Sequence, residues 1–139
     1  MALNGTPLLL LVDDEPAQKR LVTALAARGG WRTVFASDHE SAIASLAGRD
    51  GTHVDAVLID QWHPNIKPIE VIRQMRERRP MLPILVLTSQ NNVFDAVEAM
   101  RAGATDYLAK PIAPDRLLAA LSAALDTSGA KAGELRPLT

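Results

Sequence analysis

Strand-length runs that alternate with helix-length segments constrain this chain most. LLLLV (8 to 12), VDAVLI (54 to 59), PILVL (83 to 87) and TDYLA (105 to 109) are short, and apolar residues recur at helical spacing between them. Such alternation predicts strands paired in parallel, joined by right-handed crossovers that place helices on both faces of the sheet. Near-continuous Leu, Val and Ile in the first, second and third of these runs suits strands buried on both faces. A further run, WRTVFA (31 to 36), mixes in Arg32 and Thr33 and is expected at a sheet edge. The expected architecture is a five-stranded, doubly wound parallel α/β fold in three layers.

The helical segments carry their own punctuation. From Glu15 to Arg28, Ala17, Leu21, Leu25 and Ala26 keep a helical spacing, and Gly29-Gly30 supplies the stop. Ser37-Asp38 signals the start of a second helix carrying Ala42, Ile43, Leu46 and Ala47. Pro64 and Pro68 mark an irregular loop, after which Ile69, Ile72, Met75 and Arg76 carry a third helix as far as Pro80. A fourth helix is expected to hold Val93, Ala96, Val97 and Met100 on one face and to end at Gly103, a residue suited to a left-handed cap. The last helix, APDRLLAALSAAL, is expected to turn Leu117, Leu118, Leu121 and Leu125 inward and Ala113, Ala119, Ala120 and Ala123 outward. Residues 126–139 are rich in Gly, Ala, Ser and Pro without apolar periodicity, the pattern of a linker or tail, so residues 1–125 are expected to form a single domain.

Composition excludes several functions. A formal net charge of −1 argues against nucleic-acid binding by bulk charge, so direct DNA contact by this segment is not expected. With no cysteine, thiolate metal sites and Cys nucleophiles are excluded. Leu8 to Val12 is far too short to cross a bilayer, and no basic segment precedes it. No membrane association and a cytoplasmic location are the expectation.

Chemistry concentrates at strand ends. Asp13 and Asp14 follow the first run, Asp60 the second, Thr88 the third and Lys110 the fourth. In an open parallel sheet, residues at the carboxyl ends of strands converge in one crevice although they lie far apart in sequence. Three carboxylates there repel one another unless a cation neutralises them. Oxygen ligands without His or Cys favour Mg2+. An acidic pair at a strand end also serves as a helix cap or turn former. The full set in this order reads as a phosphoryl-accepting aspartate pocket.

At VDDE (12 to 15), LIDQWHP (58 to 64), LTSQ (87 to 90) and AVEAMRAGATDYLAKP (96 to 111) the chain resembles the receiver domain of two-component response regulators, over roughly Pro7 to Leu125. The resemblance implies a flavodoxin-like receiver fold in which Asp60 takes a phosphoryl group from the phosphohistidine of a sensor histidine kinase. It makes Asp14 a direct Mg2+ ligand, Asp13 a ligand acting mainly through water, and the backbone carbonyl of Trp62 the remaining protein ligand. It also implies that Thr88 draws inward on phosphorylation and lets Tyr107 turn from solvent toward the core. Lys110-Pro111 resembles the family's cis peptide. Beyond autocatalysed phosphotransfer and dephosphorylation, no enzyme activity is implied.

The long motif looks most like receivers of the nitrogen-regulator type, which precede an ATPase module acting on sigma-54 polymerase and a DNA-binding segment. With the linker-like tail, this suggests a receiver that controls transcription through an output domain beyond Thr139, its fourth helix, last strand and last helix forming a homodimer that phosphorylation strengthens. A stand-alone receiver is the second reading.

Some residues depart from the pattern. Pro68 stands where the family has Gly eight residues after the phosphorylated Asp, so the loop there must be built differently. Trp62 and Gln90 border the route of water to the site, and Trp62 is expected to screen an acyl phosphate. Lys67 and His63 read as solvated loop residues.

Two rivals share part of the set. A phosphatase of the haloacid dehalogenase type wants Asp-x-Asp after the first strand, which Asp13-Asp14-Glu15 does not give. A phosphate-independent interaction module needs none of the five residues.

Overall fold

The structure, a computed structural model, describes residues 6–47, 53–60, 68–89 and 93–127. Five strands alternate with five helices: β1 (Leu8–Val12), α1 (Pro16–Arg28), β2 (Arg32–Ala36), α2 (His39–Ala47), β3 (Ala56–Asp60), α3 (Pro68–Arg78), β4 (Ile84–Ser89), α4 (Val93–Ala102), β5 (Asp106–Lys110) and α5 (Pro114–Thr127). All pairings are parallel, in the order β2-β1-β3-β4-β5. The sheet is thus the expected doubly wound one, and β2 lies at its edge.

The leucines of β1 show why both faces are covered. Successive strand residues point to opposite faces, so Leu8, Leu10 and Val12 join one core with Val57, Ile59, Ile72 and Met75. Leu9 and Leu11 join the other with Leu58, Leu85, Leu87, Leu25 and Leu117. Helices α2, α3 and α4 close the first core, α1 and α5 the second.

Helix faces depart from the simple periodic reading in informative ways. In α1 the buried residues are Val22, Leu25 and Ala26, while Leu21 is exposed, so the inward stripe is rotated from the one built on Ala17 and Leu21. In α4 only Ala96 and Ala99 are buried of the residues described, and Val97 and Met100 stand out to solvent. In α5, Ala120 and Ala124 join Leu117 and Leu121 in the core, so Ala120 faces inward rather than outward. Small residues fill these places, since in a close-packed interior volume as well as hydropathy decides what fits. Pro68 opens α3 instead of lying in a loop. At a first helical position its missing N–H has no partner to lose.

The helix ends are built from local chemistry. Glu15 caps α1, its Oε1 accepting from the Gln18 amide at 3.1 Å, with Pro16 at the first turn. Asp38 caps α2, accepting from the Ser41 amide at 2.8 Å. At the far end of α4, Gly103 has φ +123°, and an added Cβ would lie 3.4 Å from Arg76 Cγ and Nε. Gly103→Ala is therefore expected to destabilise the fold by about 1–3 kcal/mol, the usual cost of a backbone forced into a glycine-only region. A shift of the urea midpoint without a change in slope checks this; an unmoved midpoint contradicts it.

Helix α5 also reaches back over the open edge of β5. Arg116 Nη2 donates to the Tyr107 carbonyl at 3.0 Å and pairs with Asp106 Oδ2 at 3.2 Å.

Candidate functional site

The strand ends bring four of the sequence-predicted residues to one rim of the sheet. Strand pairing sets Val12 beside Ile59, Asp60 beside Leu87 and Thr88 beside Ala109, so Asp13, Asp60, Thr88 and Lys110 close the same edge of four adjacent strands. The Asp13 amide continues the ladder by donating to the Ala36 carbonyl at 2.9 Å. Sheet order runs outward from β1 to β2 on one side and from β1 to β3 on the other, and this reversal opens the crevice between β1 and β3. Asp13, Asp60 and Thr88 are buried, whereas Asp14 is exposed at the mouth.

The electrostatics are unbalanced in a definite sense. Lys110 Nζ lies 2.8 Å from Asp60 Oδ1, a distance for a charge-assisted hydrogen bond. Asp13 Oδ1 accepts from the Glu15 amide at 3.1 Å, but Asp13 Oδ2 is buried without a hydrogen-bond partner among the described residues. Burial raises the Asp13 carboxyl above its ordinary pKa, and the neighbouring Asp60 charge raises it further, against the lowering effect of the Glu15 amide. An orphaned carboxylate oxygen in a native core calls for an ion or a proton.

These residues fit a hard divalent cation. Three carboxylates against one ammonium leave two negative charges, and the side-chain ligand atoms of Asp13, Asp14 and Asp60 are all oxygen. Among the described residues, no three acidic, His or Cys side chains enclose an ion by themselves. Mg2+ keeps several waters and takes only one or two protein carboxylates directly, so it does not need such an enclosure. Asp13, Asp14 and Asp60 would hold it. The Trp62 carbonyl expected to complete the set lies outside the described residues, as do Gln90, His63 and Lys67.

The raised Asp13 pKa has a testable sign. A carboxyl whose pKa is higher in the folded state than in the unfolded one adds stability that is fully present below the unfolded pKa and lost as pH rises through the folded pKa. Without metal, Asp13 therefore penalises the fold at neutral pH. Asp13→Asn is expected to melt higher than the native protein at about pH 7 in chelator, and the gap should narrow as pH falls and native Asp13 takes up its proton. Thermal melts of both proteins at decreasing pH check this; a variant that melts lower at neutral pH contradicts it.

Two further predicted positions are in place. Tyr107, the expected switch residue, is 41% exposed on β5. Pro111 follows Lys110 through a cis peptide. Sequence reading missed the arginines that bond backbone carbonyls, Arg76, Arg79 and Arg116, the last also pairing with Asp106. No motif marks such partners, because every residue carries a carbonyl.

Comparison with known proteins agrees with this geometry. The family described as "Response regulator receiver domain" matches residues 9–122. The transcriptional regulatory protein TrcR of Mycobacterium tuberculosis is 36% identical over 126 residues, covering 90% of this chain and 48% of that protein. The chain spans about half the length of the relatives it matches. Among solved structures, the receiver domain of NtrX from Brucella abortus superposes with a TM-score of 0.78 at 31% identity, covering 86% of this chain and 99% of that one. The receiver domain of the sensor histidine kinase PA1611 from Pseudomonas aeruginosa gives 0.72 at 27% identity, over 88% and 98% of the two chains, and holds a magnesium ion in its active-site cleft.

Proposed function

The chain belongs to the response regulator receiver domain family, and from that premise we propose that Asp60 accepts a phosphoryl group from the phosphohistidine of a sensor histidine kinase. The observation that carries this reading is the pairing of Asp60 Oδ1 with Lys110 Nζ at 2.8 Å beside the unpaired buried oxygen of Asp13. A carboxylate oxygen of Asp60 forms the new bond to phosphorus as the bond to the donor nitrogen breaks, the electron pair leaving with the imidazole. Lys110 stays charged and follows the phosphoryl oxygens, and Thr88 donates its hydroxyl to one of them. The chemistry a bound Mg2+ supplies is neutralisation of the carboxylates and of the charge on the phosphoryl oxygens.

The readout proposed for this event is the surface of α4, β5 and α5. Thr88 sits near the end of β4, one strand from Tyr107, and its engagement by the phosphoryl group would draw Tyr107 inward. Val97, Met100 and Tyr107 are exposed apolar or aromatic side chains on these elements, suited to a homodimer that phosphorylation strengthens. Residues 1–125 would be the receiver and 126–139 the linker to an output domain that controls transcription, as in regulators such as TrcR. NtrX is one relative among many, so the nitrogen-regulator output is a narrower reading than transcription control itself. Among the described residues, no helix is long and apolar enough to cross a membrane.

Intact mass after incubation with acetyl phosphate tests the proposal. One added phosphoryl group, present with Mg2+ and absent in chelator, is the expected result. An unchanged mass under both conditions would favour the phosphate-independent interaction module and single out Pro68 and the residues before it as the cause.

A further inference from the structure

Arg76, in the last turn of α3, makes the most concentrated set of polar contacts described away from the phosphorylation site. Its Nη1 donates to the carbonyls of Leu82 at 2.7 Å, Pro80 at 2.9 Å and Arg79 at 3.3 Å. Its Nη2 and Nε donate to the Gly103 carbonyl at 2.6 and 3.1 Å, and Nη2 lies 3.5 Å from Thr105 Oγ1. One guanidinium therefore joins the turn between α3 and β4 to the turn between α4 and β5. No carboxylate is among these partners. Carbonyls at a helix C-terminus carry the partial negative charge that a cation complements, and the planar fork spans acceptors that a point charge could not.

The rest of α4 is held differently. Of its described side chains Ala96 and Ala99 are buried, and Ala102 packs half-buried against the same core. Its C-terminal end, by contrast, is closed by the Gly103 amide on the Met100 carbonyl at 3.1 Å and the Ala104 amide on the Ala99 carbonyl at 3.0 Å. Beyond it, the Thr105 amide donates to the Ile84 carbonyl at 2.7 Å, and the Ile84 amide to Thr105 Oγ1 at 3.0 Å. This end lies at the start of β4 and β5, opposite the rim that holds Thr88 and Lys110, with the full length of β4 between them.

We propose that Arg76 fixes the C-terminal end of α4 in both signalling states, so that the helix pivots about Gly103 and a displacement started at the Thr88 end moves it as a lever. This rests on the reading of α4, β5 and α5 as the switched surface. A firm hold at the end farthest from Thr88 is the arrangement a lever requires. Without the fork, α4 would loosen as a whole and the exposed side chains Val97 and Met100 would lose a defined second position.

Amide hydrogen exchange of the full chain, with and without beryllofluoride and Mg2+ as a phosphoryl mimic, tests this. In the native protein, exchange in the N-terminal part of α4 should change on adding the mimic, while the Gly103 and Ala104 amides stay equally protected. In Arg76→Met those two amides should exchange at least tenfold faster, and the response to the mimic should spread along the helix. Arg76→Lys, which keeps the charge but not the fork, should lie between the two and serves where Arg76→Met is too unstable to purify. Native Gly103 and Ala104 amides that lose protection on adding the mimic would overturn the fixed end while leaving the switch intact. Mimic binding, seen by a raised melting temperature, with no change anywhere in α4 would overturn both the lever and the switch. Native-like exchange at Gly103 and Ala104 in both variants would overturn the role of Arg76.

Discussion

Asp60→Asn is expected to take up no phosphoryl group from acetyl phosphate, a loss on the order of 10^3-fold or more in a reaction that depends on a single nucleophile. The amide that replaces the carboxylate is isosteric but carries no charge with which to attack phosphorus. The fold should survive, because Asp60 ends β3 and its backbone pairing does not depend on its side chain. Removing its charge also relieves the repulsion that raises Asp13, so the variant should melt no lower than the native protein in chelator. Mass spectrometry and melting thus separate loss of chemistry from loss of structure. A phosphorylated Asp60→Asn protein would move the acceptor to another residue and sink the assignment.

Lys110→Met is expected to slow single-turnover phosphorylation by about 10^2 to 10^3-fold, the range found when one preorganised donor to a developing charge is removed. Methionine keeps much of the hydrocarbon stem while deleting the ammonium that stands 2.8 Å from Asp60. The nucleophile itself remains, so phosphorylation should continue at a measurable low rate, unlike that of Asp60→Asn. The observed rate constant at a fixed, saturating concentration of acetyl phosphate and Mg2+ is the measurement. A rate within a factor of a few of the native one would leave Lys110 as a structural counter-charge only.

The parts of the fold and site readable in the sequence are those fixed by local pattern. Leu8–Val12 matches its strand without error because five consecutive aliphatic residues bounded by Pro7 and Asp13 admit little else. The termini of β4 and β5 shifted by one or two residues because Thr88, Ser89 and Lys110 continue the ladder although they are polar. Pattern sees the core and not the pairing. The rotated face of α1 and the inward Ala120 were illegible for a related reason, since periodicity ranks residues by hydropathy while close approach of a helix to the sheet selects by size. At the site, Asp13, Asp60, Thr88 and Lys110 were legible as types at strand ends. The unpaired state of Asp13 Oδ2 was not, because it depends on which amides the first turn of α1 presents.

The hold of Arg116 on the Tyr107 carbonyl bears on how two copies could meet. An open strand edge invites a second chain to extend the sheet, and such unions are hard to undo. With that acceptor already engaged and Asp106 paired beside it, backbone continuation across β5 is hindered near its start. Copies meeting there would touch through side chains alone. An association of that kind dissolves as readily as it forms, so the lifetime of an assembled pair would follow the lifetime of the phosphoryl group and the surface could be reused with each new signal.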